Sequence, residues 1–307
     1  MTKMTTFDDI KKALWAGANT FRDNIDASNY KDYVLSMFFV KYLSDTYKES
    51  VEELEKEYSG IRLERQIENL PFSLKKEHTF DYLLDNKFAM NAEDVLAACD
   101  THTKVIWICT PNNPSGNDIC RSEIEHILNT FQGIVVIDEA YSDFSQQKTF
   151  RTELSTYPNM IVLNTMSKAW GCAGIRLGMA FASPEIIGIF NKVKYPYNVN
   201  CLTQEKAAAI LDNIQEVQIW VAQILEEKAR VIEAFGQLDV CVKIYPSAAN
   251  FFLVEVTDAQ SIYDYLVNKG IIVRNRSQIA LCKNCLRITI GNRTENNELL
   301  AALRVYK

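Results

Sequence analysis

Three short apolar runs, each closed by polar residues, constrain this chain most. They are Val105-Ile106-Trp107-Ile108-Cys109, Ile134-Val135-Val136-Ile137 and Met160-Ile161-Val162-Leu163. Uninterrupted β-branched runs are the signature of strands buried on both faces in a parallel sheet. Open sheets of that kind bind ligands just outside the carboxyl ends of their strands. The residues that follow each run are therefore where chemistry is expected.

The third run leads into Thr165-Met166-Ser167-Lys168-Ala169-Trp170-Gly171-Cys172-Ala173-Gly174-Ile175-Arg176-Leu177-Gly178. A lysine at the mouth of a sheet can lose hydration, acquire a lowered pKa and attack a carbonyl as the free amine. Ser167 and Arg176 add a hydroxyl and a forked cation, a pair suited to a phosphate dianion. A lysine beside a phosphate cradle is what pyridoxal 5'-phosphate requires: a Schiff base at one end and an anchor at the other. The second run ends in Asp138-Glu139-Ala140-Tyr141. There Asp138 can meet a pyridine nitrogen and keep it protonated, because a nearby carboxylate favours the charged form of a base. The first run leads to Thr110-Pro111-Asn112-Asn113-Pro114-Ser115-Gly116-Asn117, in which Asn113, with Tyr141, can hydrogen-bond the ring oxygen. Each segment alone admits a plainer reading. NNPSG is a good β-turn, an Asp after a strand is often a helix cap, and the lysine loop could be glycine-rich with ordinary surface charges. Three strand ends in this order, each with a matching group, favour the joint reading.

The strings TPNNPSGN (110–117), VVIDEAYSDF (135–144), TMSKAWGCAGIRLG (165–178), SAANFFLVEV (247–256), GIIVRNRS (270–277) and CLRITIGNRTEN (285–296) together resemble the class I/II pyridoxal-phosphate aminotransferases of the histidinol-phosphate group. The resemblance runs from about residue 86 to the end. It implies that Lys168 is the Schiff-base lysine and that Asp138 partners the pyridine nitrogen. Tyr141 and Asn113 would contact the ring oxygen, and Ser167 and Arg176 the cofactor phosphate. It further implies Arg274 and Arg287 as substrate-anion arginines, with Asn250 near the substrate. By composition alone Arg274 could be a solvated loop charge and Asn250 a turn residue. Arg287 lies inside the strand-like Leu286-Arg287-Ile288-Thr289-Ile290, where a charge needs a partner. The implied reaction is amino-group exchange between histidinol phosphate and 2-oxoglutarate/glutamate in a homodimer.

The resemblance also implies about a third more chain ahead of NNPSG, for which residues before 105 offer no counterpart. Instead, Ile10, Leu14, Phe21 and Ile25, then Tyr30, Val34, Leu35, Phe38, Phe39, Tyr42 and Leu43 recur at helical spacing over 7–50. Asp26-Ala27-Ser28-Asn29 marks a break and N-cap between two helices. The string LWAGANTFRDNIDASNYKDYVLSMFFVKYLSDTY (14–47) resembles the N-terminal helical domain of the modification (methyltransferase) subunit of type I restriction enzymes, and LPFSLKKEHTFDYLL (70–84) does so more weakly. That implies docking of restriction-modification subunits or DNA through residues 1–82. The methyltransferase's NPPY/F motif does not occur, so DNA methylation is not expected. Residues 1–80 hold 12 Lys/Arg against 14 Asp/Glu, so no basic patch marks nucleic acid.

The expected architecture is therefore α/β: a truncated fold type I large domain with a mostly parallel sheet over 86–215, a small α+β domain over 216–307, and an all-α segment over 1–82. In the small domain a helix is expected over Val217 to Phe235, strands over 250–256, 271–274 and 286–290, and helices from Asp258 to Asn268 and Glu295 to Val305. A formal charge of −6 and 48% hydrophobic residues suit a soluble cytoplasmic protein, and no apolar stretch approaches the ~20 residues that span a membrane. Of 8 cysteines, Cys109, Cys172, Cys201 and Cys241 lie in apolar surroundings, as reduced buried thiols do. Cys282-Lys283-Asn284-Cys285 is a CxxC without the second ligand pair that structural zinc requires, so no metal site is expected. Two other classes stay open: a catalytically inactive chimeric remnant, or an interaction module carried by residues 1–82.

Overall fold

The computed structural model describes residues 27–68, 70 and 87–306. The chain divides into two compact units, Met1–Lys87 and Phe88–Lys307.

In the first unit, α1 (Ala27–Glu57) starts at the expected break, and α2 (Ile61–Glu68) follows it. Gly60, at φ +56°, makes the turn between them, a conformation that costs glycine little. Glu49, Glu52, Glu53, Glu55, Lys56 and Glu57 are all exposed, so the charged end of α1 is a solvated face. The helix expected over residues 7–25 and most of the 70–84 string lie outside the described residues.

The second unit holds two sheets. The larger contains β1 (Val105–Cys109), β2 (Ile134–Asp138), β3 (Met160–Thr165) and β4 (Gly178–Ala182), hydrogen-bonded in that order. The first three strands are parallel, and β4 is antiparallel to β3. A crossover helix, α4 (Arg121–Thr130), joins β1 to β2, after a short α3 (Ala92–Ala97). Ile106, Ile108, Val135, Ile137, Met160 and Val162 share one buried cluster with Ile124, Ile127 and Leu128 of α4. This helical layer covers one sheet face. The central β2 is buried on both faces, as its composition predicts, but the edge strand β1 is not: Val105 and Trp107 are exposed while Ile106 and Ile108 are buried. β4 returns antiparallel because the connection from β3 holds only the 3₁₀ turn Ala173–Ile175, with no crossover helix.

α5 (Pro184–Val193), capped by Ser183, and α6 (Cys201–Leu211), capped by Asn200, lead to the long α7 (Ile214–Gly236). The expected domain boundary at 215/216 falls in the first turn of α7. On α7, Val217, Val231 and Phe235 are buried, but Trp220 is exposed. The second sheet has β5 (Cys241–Ile244), β6 (Phe251–Val256), β7 (Arg274–Asn275) and β8 (Cys285–Thr289) in the order β5-β6-β8-β7, all antiparallel. It packs with α7, α8 (Ala259–Asn268) and α9 (Arg293–Arg304) around Phe235, Phe252, Ile262, Leu286 and Leu300. Asp258 caps α8 by accepting from the amides of Gln260 and Ser261. Asn292 and Glu295 form a reciprocal capping box on α9. The 271–274 strand shrinks to two residues because the amide of Ile271 bonds back to the carbonyl of Leu266, closing α8 rather than joining the sheet. The burial of cysteines differs from expectation. Cys201, at the start of α6, is exposed, Cys109, Cys172 and Cys241 are half-buried, and the buried pair is Cys282 and Cys285.

Candidate active site

The register of the larger sheet aligns its polar ends. Cys109 pairs with Asp138, and Asp138 with Leu163, so the segments after β1, β2 and β3 emerge along one edge. Asp138 Oδ1 accepts from the amide of Ala140 at 3.0 Å, which fixes the carboxylate at the strand's end. Three residues on, Tyr141 is buried, its ring edge-on to Phe251 at 5.2 Å. The Lys168 ammonium lies 5.1 Å from the Tyr141 ring centroid, so the ends of β2 and β3 meet through these two side chains. Lys168 was expected to lose hydration, yet its side chain is exposed. Met166 and Ala169 take the buried positions of the turn, and that leaves Lys168 directed outward.

The loop carrying Lys168 closes on itself. Met166 N donates to Leu177 O at 3.2 Å, and Thr165 pairs with Gly178. Ser167 and Arg176 therefore occupy matching positions on the two limbs of one hairpin connection. Ser167 Oγ accepts from Thr165 Oγ1 at 3.0 Å. Arg176 is exposed, adopts a left-handed φ of 56°, and donates from Nη1 to Ala173 O at 3.1 Å.

The second sheet contributes through β8. Arg287 Nη1 donates to Asn113 Oδ1 at 2.7 Å, and its guanidinium lies 4.8 Å from the Phe251 ring centroid. A continuous set of contacts thus runs from Lys168 through Tyr141 and Phe251 to Arg287 and Asn113. The partner that Arg287 needs is an amide and an aromatic face. Burial first, then Arg276 and Arg274, depresses the pKa of Arg287. Arg274 pairs across the strands with Arg287 and is exposed. Asn250 is half-buried before β6, its carbonyl accepting from Ile290 N at 2.9 Å. The NNPSG loop is clamped to this region, since Ala248 N donates to Gly116 O at 2.7 Å. Gly116 stands at φ +83°, and a Cβ there would come within 2.4 Å of Ser247 Oγ. Only glycine allows that approach.

Sequence reasoning missed the supporting groups. Glu139 is buried, accepting from Phe150 N at 2.7 Å and from Thr149 Oγ1, with Arg151 Nε at 3.8 Å. Burial pushes its carboxyl up despite these bonds, and it does the same to Asp143. Asn164 Nδ2 donates to Glu139 O at 3.0 Å and ties β3 to the Asp138 segment. Lys228, buried on α7, donates to the carbonyls of Ser247 (2.9 Å) and Ala249 (2.8 Å), and burial lowers its pKa. Glu139 directly follows β2, and that strand-end position is the local signal that could have marked it. Lys228 sits between Glu227 and Ala229 on a charged helix, and nothing local distinguishes it.

Among the described residues, no group of three or more His, Cys, Asp or Glu is placed to hold a metal ion, and no helix is long and apolar enough to cross a membrane.

Known proteins match in two overlapping stretches. The family profile for the HsdM N-terminal domain matches residues 10–106, and that for aminotransferase class I and II matches residues 69–303. A histidinol-phosphate aminotransferase of Bacteroides thetaiotaomicron is 58% identical over 225 residues, which cover 73% of this chain and 65% of the relative. The chain therefore spans just under two thirds of the length of that relative. The crystal structure of the histidinol-phosphate aminotransferase from Clostridium acetobutylicum superposes with TM-score 0.67 at 25% identity, covering 72% of this chain and 69% of that one. The Sinorhizobium meliloti histidinol-phosphate aminotransferase, solved in complex with pyridoxal-5'-phosphate, gives TM-score 0.63 at 26% identity over 70% of this chain and 60% of that one. The two sheets, the strand-end groups between them and a profile match over most of the chain agree, and this chain belongs to the aminotransferase class I and II family.

Proposed function

We propose that this chain is a pyridoxal-phosphate-dependent aminotransferase of the histidinol-phosphate type, exchanging an amino group between histidinol phosphate and 2-oxoglutarate/glutamate. The observation that carries the reading is the placing of Asp138, Tyr141 and Lys168 at adjacent parallel strand ends, in a chain 58% identical to a protein of that name. The donor set fits the cofactor's chemistry: an amine for its aldehyde, a carboxylate for its ring nitrogen, and a hydroxyl with a guanidinium for its phosphate.

When bound, pyridoxal phosphate supplies the aldehyde that takes up the amino group and the ring that accepts electrons from the substrate carbon. The chain's own residues do the rest. Asp138 holds a proton on the ring nitrogen by charge pairing. Tyr141 donates from its hydroxyl to the ring oxygen. Asn113 commits Oδ1 to Arg287 and offers Nδ2 to the same ring oxygen. Ser167 and Arg176 hold the phosphate from the two limbs of the hairpin. Lys168 would hold the cofactor through its aldehyde, and its free amine would move a proton at the substrate carbon as general base. Arg274 and Arg287 take the substrate's anionic group, with Asn250 nearby.

The reading divides the chain into a helical segment (1–82), a cofactor-binding domain (86–215) and a small domain (216–307), acting as a cytoplasmic homodimer. The exposure of Lys168 favours a second reading, a remnant that binds cofactor weakly and does not turn over. The match of residues 10–106 to the HsdM N-terminal domain supports an accessory one, docking of restriction-modification subunits or DNA through residues 1–82. Purified chain, pyridoxal phosphate, histidinol phosphate and 2-oxoglutarate decide the first two. The proposal expects glutamate to form with the native chain and not with Lys168→Ala. Failure of the native chain to form glutamate favours the remnant.

A further inference from the structure

Two carboxylates just past the end of β2 share the Arg151 guanidinium. Arg151 Nε lies 3.8 Å from Glu139 Oε2, and Arg151 Nη2 lies 4.0 Å from Asp143 Oδ1. Glu139 also accepts from the Phe150 amide and the Thr149 hydroxyl. Asp143 is less well served, because its Oδ2 is buried and has no hydrogen-bond partner. A buried acceptor without a donor is costly, the more so when it carries charge. Burial pushes the Asp143 carboxyl up, against the opposing pull of Arg151 and the nearby Trp170 indole.

Asp143 also lines a cavity of about 390 Å³, within the size range of small-molecule sites. Trp170 and the apolar side chains Val217, Val221 and Leu225 of α7 form much of its wall. Among the described residues lining it, Asp143 alone is ionisable, and none is a cofactor or substrate group assigned above. With both acids ionised, one negative charge stays unbalanced, and it belongs to the side chain at the cavity wall. Oδ2 reaches the cavity through the last torsion of the side chain, which is broad for aspartate.

We propose that this cavity binds a small organic monocation, its N–H donors on Asp143 and its apolar body between Trp170 and α7. A planar head with two N–H donors matches a carboxylate bidentately. A cation seated over the Trp170 ring gains further attraction. The inference stands apart from the proposed function, since no cavity residue enters that chemistry.

The test titrates benzamidine into the full chain by calorimetry, with benzamide as a neutral probe of nearly the same shape. Benzamidine is expected to bind. Asp143→Asn should weaken it about tenfold or more, the range of one charge-assisted hydrogen bond. Benzamide should bind weakly and change little in that variant. Ala222→Phe puts a ring into the cavity from an exposed position on α7, and it should abolish benzamidine binding. If Asp143→Asn fails to fold, Ala222→Phe decides. No binding to the native chain, undiminished binding in Asp143→Asn, or binding kept in Ala222→Phe overturns the proposal. So does loss in Asp138→Asn with binding kept in Asp143→Asn, which would seat the probe among the cofactor groups.

Discussion

The two sheets of the second unit are built from similar apolar runs and end up buried to different degrees. In the small sheet, Phe251 to Val254 of β6 are all 1% exposed or less, two faces covered along four successive residues. In the larger sheet, β1 alternates, with Val105 51% and Trp107 60% exposed against buried neighbours, and no residue of β4 is buried. Composition is alike; position in the sheet is not. β6 is flanked by strands on both sides and its cluster gathers α7, α8 and α9, whereas β1 is an edge strand covered on one face. Burial therefore follows position within a sheet, since Val135, Ile137, Met160 and Val162 of the larger sheet's inner strands are fully buried while Val242 on the small sheet's edge is 57% exposed. The candidate chemistry stands on the strand ends of the larger sheet.

A pair of truncations tests that contrast with the largest expected effect. Phe252 is fully buried and packs edge-on against Phe235 at 5.7 Å. Phe252→Ala should lose about 3–5 kcal/mol of unfolding free energy. Trp107→Ala, on the open face, should lose under about 1 kcal/mol. Urea unfolding followed by circular dichroism measures both, and similar losses would break the comparison.

Lys228 ties the small domain to the NNPSG loop's neighbourhood, since it holds the turn before β6 and feels the charge of Asp118. Lys228→Met leaves two carbonyls without their donor and should cost about 1–3 kcal/mol, with Lys228→Arg recovering part of it. A loss near zero would mean that the turn stands without the clamp.

What the sequence made legible follows the same divide. The β-branched runs gave away β1, β2 and β3, and Asp258 marked a helix start; the helix expected from Glu295 begins earlier, at Arg293, behind its Asn292 cap. Two things were illegible. Whether β1 was buried on one face or two depended on which helices covered it, a tertiary fact that Val105 and Trp107 do not encode. Lys228 and Glu139 are ordinary charges until the fold surrounds them. At the site, Asp138, Tyr141 and Lys168 were readable from strand-end order, and Arg287 from a charge inside a strand. Its contact with Asn113, 174 residues away, carried no local signal.

The smallest expected effects concern pH, and they run in opposite directions in the two halves. Glu227, on α7, is held at about 2 by Arg230 first, helped by Asn296. Its folded pKa lies below the ordinary 4.5, so its contribution is present above pH 4.5 and is lost as pH falls toward 2. Glu139, beside the larger sheet, is shifted the other way by burial. The folded state there holds its proton longer than the unfolded chain, so stability falls as pH rises from 4.5 through the folded pKa. Glu227→Gln should flatten the acid limb of a thermal-denaturation profile, and Glu139→Gln the decline above pH 4.5. Identical slopes in both variants would contradict the division.

The central claim is that the amine after β3 forms the reversible bond to the cofactor's aldehyde. The direct measurement is mass spectrometry of tryptic peptides after incubation with pyridoxal phosphate and reduction with borohydride. The account predicts a single modified peptide carrying the label on Lys168, with Asp138→Ala weakening cofactor retention. Label spread over several exposed lysines, or none at Lys168, would contradict it.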